Sequence, residues 1–103
     1  MDKPLDGIRV IAIEQFGAGP YGSMYLAELG ADVIKVENRA TGGDPSRQSG
    51  AVTLADDDSA YFQAFNLSKR SVTVNLKSPE GRAIFEDLVR TADVVWNNLR
   101  GSQ

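Results

Sequence analysis

The sequence contains neither cysteine nor histidine. Without cysteine there is no disulfide framework, no thiolate nucleophile and no thiolate metal site. Without histidine, a Ser-His-Asp triad and a histidine metal centre are excluded within these 103 residues. No apolar run approaches the roughly 20 residues of a membrane-crossing helix. The opening Met1-Asp2-Lys3-Pro4-Leu5-Asp6 lacks the apolar stretch of a secretory signal. Neither charge sign dominates: 11 Lys and Arg against 14 Asp and Glu leave a net charge of -3. That balance gives no general attraction to nucleic acid or anionic lipid. The expectation is a cytoplasmic protein with no nucleic-acid and no membrane partner.

What is present is an ordinary globular balance, 42% hydrophobic and 24% charged, in a chain long enough for one small domain. Strand and helix signals alternate along it. Ile8 to Ile13 is short, β-branched and apolar, as in a buried strand. Gly17-Ala18-Gly19-Pro20 breaks it, and Pro20 suits the first turn of a helix. Tyr21, Met24, Tyr25 and Leu29 follow at helical spacing and predict an apolar face. Gly30 suits that helix's C-terminal cap. Asp32 to Glu37 reads as a second strand. From Asn38 to Asp58 the chain turns polar and reads as a long loop, either functional or a mobile surface. Ser59 to Phe65 predicts a short helix, and Ser71 to Leu76 alternates as a strand does. Ser78-Pro79-Glu80 is a strong helix start. Ile84, Phe85, Leu88 and Val89 would form the buried face of that helix, with Arg82–Glu86 and Glu86–Arg90 pairs on the other side. Asp93 to Asn97 predicts a fourth strand, with Trp96 in the core. Such an order implies parallel strands and right-handed crossovers, an open α/β fold.

Gly17, Gly19 and Gly22 satisfy G-x-G-x-x-G between a strand and a helix. Glu37 ends the next strand about 20 residues on, where a dinucleotide fold places its ribose carboxylate. Against that reading, Glu14-Gln15-Phe16 intervene before the first glycine, and Pro20 removes one N–H that could face a phosphate. The plain alternative is glycines serving only a tight connection. Lys69-Arg70 is a small basic pair that suits either a solvated loop or an anion. Asn97-Asn98-Leu99-Arg100-Gly101 falls on the strand edge that also carries Gln15-Phe16-Gly17, the edge where open α/β sheets bind ligands. By itself it reads as a turn, since Asn and Gly are turn residues. Asp56-Asp57-Asp58 reads as a solvated loop rather than a cation site, because adjacent side chains diverge.

Three segments together resemble the family III CoA transferases, also called the carnitine dehydratase/bile-acid-inducible family. The first is Pro4-Leu5-Asp6-Gly7-Ile8-Arg9-Val10 with Ala18-Gly19-Pro20 and Leu26 through Glu37. The second is Phe65-Asn66-Leu67-Ser68-Lys69-Arg70-Ser71-Val72 running into Asn75-Leu76-Lys77-Ser78-Pro79-Glu80-Gly81. The third is Ala92 through Gly101. They occur in the family's order and cover nearly the whole chain.

The resemblance implies the N-terminal part of a doubly wound, Rossmann-like parallel sheet, incomplete in this chain. Residues 1–103 would begin the large CoA-binding domain, with the rest of that domain and the small domain absent. It implies a CoA transferase moving coenzyme A between an acyl-CoA and a carboxylic acid, or an acyl-CoA racemase of the same family. A coenzyme A thioester would be substrate, with no permanently bound cofactor and no metal, in an interlocked homodimer. Gln15, Phe16, Gly17 and Ala18 would lie against the thioester and pantetheine. Leu67, Lys69 and Arg70 would meet the nucleotide part, and Asn98 and Leu99 match the family's Asn-Phe pair, with Leu for Phe. Asn38 stands where an arginine often binds CoA phosphate, leaving Arg39 or Arg47 for that role, and Ser68 replaces a common asparagine. The family's catalytic aspartate, a covalent nucleophile, falls beyond Gln103, so this segment would be inactive alone. Two other readings stay open: a dinucleotide-binding module of an oxidoreductase, carried by the glycines and Glu37, and an inactive truncated interaction module.

Overall fold

The computed structural model of the chain describes residues 2–100. Its centre is a four-stranded parallel sheet built from β1 (Arg9–Ile13), β2 (Asp32–Glu37), β5 (Arg70–Thr73) and β6 (Val94–Asn97), in the order β5-β2-β1-β6. The chain steps outward from β1 to β2 to β5 and then returns to place β6 on the other side of β1. That reversal makes the gap between the C-terminal ends of β1 and β6 a topological switch point, the crevice in which open α/β sheets hold ligands. The fold is therefore the open, doubly wound α/β arrangement that the strand and helix order predicts.

Both faces of the sheet are covered, and alternation along the strands explains how. Val10, Ala12 and Val33 face α1 (Ala18–Glu28), where they meet Ala27, Ala31, Leu26 and Trp96. Ile11, Ile34 and Val36 face the opposite way and meet Val74, Phe85, Leu88 and Ala92, the last three from α3 (Pro79–Arg90) and its exit. Successive strand side chains point to opposite faces, so near-continuous apolar strands serve two cores.

α1 departs from expectation. Tyr21, Tyr25 and Leu29 are exposed, and the face that packs is Gly19, Pro20, Ser23 and Ala27. Small residues win because α1 lies close against β6: a Cβ on Gly22 would sit 2.5 Å from the Trp96 ring. The exposed tyrosines form their own layer with the next helix, α2 (Ala60–Phe65), as Tyr21 meets Tyr25 and Phe65 edge-on. α3 starts as predicted, the Ser78 hydroxyl accepting from the Gly81 N–H with Pro79 following. Its inward side is narrower than predicted, because Ile84 is exposed while Phe85 and Leu88 pack. Arg90 pairs with Asp87, one turn back, rather than with Glu86.

The polar stretch 38–58 is not a plain loop. It holds two 3-10 turns, Arg39–Thr41 and Pro45–Gln48, and a small antiparallel hairpin of β3 (Thr53–Ala55) and β4 (Asp58–Ser59). Asp56 and Asp57 sit at the hairpin's exposed tip, where Asp57 is left-handed. Among the described residues, no helix is long and apolar enough to cross a membrane, and no group of acidic side chains could hold a metal ion.

Candidate functional site

The switch-point crevice is closed at its base by a reciprocal pair of hydrogen bonds. The Gln15 N–H donates to Asn98 Oδ1 at 3.2 Å, and Asn98 Nδ2 donates to the Gln15 carbonyl at 3.0 Å. A side-chain amide, both donor and acceptor, thus extends the β1–β6 ladder by one rung. Asn98 also lies beneath α1: a Cβ on Gly19 would come within 2.7 Å of its Cγ. The Trp96 indole N–H donates to the Gly19 carbonyl at 3.0 Å. Gly19 and Gly22 are thus packing glycines that let β6 side chains press on α1. A Cβ on Gly17 would meet only the Tyr61 hydroxyl, at an ordinary 3.5 Å.

Between strand and helix the chain turns sharply at Phe16, whose φ of 64° lies in the left-handed region. A bulky residue takes that conformation only where its surroundings over-determine it. The Phe16 N–H donates to Asp44 Oδ1 at 3.1 Å, and the same oxygen takes the Ser46 N–H at 2.9 Å. Gly17 then caps α1 without any side-chain hydrogen bond to the helix's first amides. Those N–H groups carry the positive end of the helix dipole.

Under this turn lies a buried network of charges. Lys35 is 1% exposed, and its Nζ donates to Asp44 Oδ2 at 2.7 Å, to Asn66 Oδ1 at 3.0 Å and to Glu14 Oε2 at 3.4 Å. Lys69 Nζ donates to the same Glu14 oxygen at 2.7 Å, to Asn66 Oδ1 at 2.9 Å and to the carbonyls of Pro20 and Phe65. The Ser23 hydroxyl donates to Glu14 Oε1 at 2.6 Å. Two carboxylates thus balance two ammonium groups, as buried charges require. Burial pushes the Lys69 pKa below the usual lysine range, against the pull of Glu14. For Asp44, burial works against ionisation. The Lys35 ammonium and the Ser46 and Phe16 N–H groups outweigh it and hold the carboxyl below its ordinary value. A second buried carboxylate, Glu37, takes Arg47 Nε at 2.9 Å and Arg47 Nη2 at 2.7 Å, the Asp44 N–H at 2.7 Å and the Ser71 hydroxyl. Burial again opposes ionisation, but these donors hold the Glu37 pKa down to about 2.

The residues predicted from sequence fall into separate places. Gln15 and Leu99 line one cavity of about 310 Å³, bounded also by Leu76 and Lys77. Leu67, Lys69 and Arg70 together line a second cavity of about 260 Å³, beside Phe62 and Gln63. Both cavities border the buried network, the first on Glu14, Glu37 and Asp44, the second on Lys35 and Asn66. Phe16 stands partly exposed at the turn, followed by Gly17 and Ala18 at the head of α1. The Lys69 side chain, 2% exposed, turns its ammonium into the protein. Arg70 opens β5, and its guanidinium reaches Asp32 at the opposite end of the sheet from the switch point. Arg39 sits in the first 3-10 turn; its side chain, like Gly101 of the last motif, lies outside the described residues. Arg47 is held by Glu37 and stacks 3.9 Å from the Phe62 ring centroid.

Glu37 therefore does not stand free as a ribose carboxylate. With Gly19 and Gly22 used in packing, the dinucleotide reading loses both features that carried it. Sequence reasoning missed Glu14, Ser23, Lys35, Asp44 and Asn66. One signal was available: Lys35 interrupts Val33-Ile34-Val36 on the same face as the buried Val33, so a charge had to be buried there.

Comparison with known proteins gives a single picture. A model of CoA-transferase family III matches residues 5–103. The chain is 50% identical over 102 residues to the succinate–glutarate CoA-transferase of Agrobacterium fabrum, covering 94% of this chain and 25% of the relative. It is 43% identical over 99 residues to the formyl-CoA:oxalate CoA-transferase of Streptomyces avermitilis, covering 96% of this chain and 24% of the relative. The crystal structure of a CAIB/BAIF family protein from Brucella suis superposes with a TM-score of 0.85 at 40% identity, over 96% of this chain and 26% of that one. The chain thus spans about a quarter of the length of the proteins it matches.

Proposed function

The chain belongs to CoA-transferase family III, and from that premise we propose that the protein moves coenzyme A from an acyl-CoA to a short dicarboxylic acid. Residues 1–103 would form the opening part of its CoA-binding domain. Succinate, glutarate and oxalate, named for two similar enzymes, are all short dicarboxylic acids. The observation that carries the reading is the switch-point turn: Gln15 tied to Asn98, Phe16 tied to Asp44, and the first amides of α1 left without a side-chain cap.

In this reading Gln15, Phe16, Gly17 and Ala18 lie against the thioester. The thioester carbonyl becomes negatively charged as a carboxylate adds to it. Backbone N–H groups near Gly17, fixed in place before reaction, stabilise that oxyanion without reorganising. Asn98 holds the turn from below, and Leu99 supplies apolar wall to the same cavity. Leu67 and Arg70 face the nucleotide half of the coenzyme, with Arg39 offered as a phosphate-binding cation, while Lys69 shapes the floor from inside. The covalent steps belong to a carboxylate beyond this segment. The working unit is an interlocked homodimer in the cytoplasm.

The test is CoA transfer by the full-length protein, with succinyl-CoA as donor and oxalate, malate, glutarate or mesaconate as acceptor, read by chromatography of the CoA esters. The expected result is a new CoA ester that depends on one of these acceptors. No transfer to any of them, with transfer to a monocarboxylate instead, would sink the dicarboxylate assignment. Gly17→Pro removes an N–H and disfavours the left-handed Phe16 that precedes it. It should lower turnover by about a hundredfold or more, and unchanged turnover would refute the oxyanion role.

A further inference from the structure

We propose that Asp44, which the sequence places in a polar loop, is a positioning residue that holds the strand-to-helix turn in its working shape. The claim rests on the CoA-transfer reading for its effect on rate, but its structural half stands alone.

Asp44 is 2% exposed, and its carboxylate joins two systems. Oδ1 accepts from the Phe16 and Ser46 N–H groups, and Oδ2 accepts from Lys35. Lys35 comes from the middle of β2, so the carboxylate is clamped to the sheet itself. The Asp44 N–H is bound in turn by Glu37 at the end of the same strand. Phe16 at φ 64° gets no steric help from its own side chain in adopting that conformation. Its hydrogen bond to Asp44 therefore selects the turn, and with it the direction in which the amides of Gly17 and Ala18 point. The network reaches the turn from three elements: Glu14 on the exit of β1, Lys35 on β2, and Lys69 and Asn66 after α2.

Two roles can be separated. If Asp44 only balances buried charge, neutral replacements should be equivalent. If it positions the turn, the acceptor matters more than the charge. Asn keeps an oxygen for the Phe16 and Ser46 amides, and Lys35 still has Glu14 and Asn66. Ala keeps nothing.

The experiment uses the full-length protein with Asp44→Asn and Asp44→Ala. It reads steady-state CoA transfer per folded molecule and hydrogen exchange of the Phe16 amide. The expected outcome is a loss in kcat of about 10- to 100-fold for Asp44→Ala, as a misplaced reacting group gives. Phe16 exchange should rise with it. Asp44→Asn should stay within about fivefold of the parent in both readings, even though both variants melt at lower temperature. Equal losses of rate in the two folded variants would overturn the proposal, as would an Ala variant with parental rate and exchange. Should Asp44→Ala fail to fold, Asp44→Asn decides: a folded Asn variant that has lost transfer or Phe16 protection refutes positioning. Should the parent transfer no CoA, the functional reading fails separately, and Phe16 exchange alone decides whether Asp44 holds the turn.

Discussion

The two ends of the parallel sheet carry charge in opposite ways. At the C-terminal end, Glu14, Lys35, Asp44 and Lys69 have side chains no more than 2% exposed and satisfy one another through short, multiple hydrogen bonds. At the N-terminal end, Asp32 is shared by Arg9 and Arg70 at 3.0 and 2.6 Å, with side chains 36%, 37% and 63% exposed. Burial works against Asp32 ionising, yet the two arginines hold its pKa below the usual range. The distances at the two ends are alike, but the consequences are not. In water a pair gains little because solvent competes; inside, an unmatched charge has nowhere to go. The buried end is also the end that carries the switch-point turn. Rigid charge is spent where geometry must be held.

The comparison can be broken most sharply at Lys35. Lys35→Met leaves Asp44 and Glu14 short of a partner in the interior, and should destabilise the fold by about 3–5 kcal/mol, read from denaturant midpoints at constant m-value. A loss below about 1 kcal/mol would mean that the network is solvated in a way its burial denies.

Arg47→Met tests the same end through pH. Glu37 has a folded-state pKa of about 2 against an ordinary 4.5. A lowered carboxyl pKa stabilises the fold fully above about pH 4.5, and that contribution is lost as the pH falls towards 2. The parent should therefore exceed the variant by on the order of 2 kcal/mol at pH 7, after allowing for solvent screening. The gap should close on acidification from pH 4.5 downward. A gap independent of pH would assign the effect to Arg47 stacking on Phe62 instead.

The smallest effect is expected at the exposed end. Asp32→Asn should cost less than about 1 kcal/mol and fade with added salt. A salt-insensitive loss of several kcal/mol would erase the distinction between the ends.

Much of this was legible in the chain. Apolar β-branched runs, Ser78-Pro79 at a helix start and the alternation of elements fix the seven main elements and the parallel order of the strands, because each rests on local geometry. Gln15 and Asn98 were also placeable on one edge, since both follow strands that end on the same side. The family assignment came from three segments in order. The sequence alone thus determined the fold class, the sheet edge that Gln15 and Asn98 share, and the lineage.

Only tertiary structure decided which residues do what at that edge. Gly19 and Gly22 look like a phosphate loop until Asn98 and Trp96, nearly 80 residues on, are seen beneath them. Glu37 looks like a ribose ligand until Arg47 folds back to it from a stretch that reads as loop. Tyr21 and Tyr25 look like core until α1 packs too close to β6 to admit them. Lys69 looks solvated, yet its ammonium meets Glu14 from 55 residues away. Each reversal has the same physical reason: whether a polar or small residue serves a ligand or the interior depends on partners distant in sequence, and no local pattern encodes them.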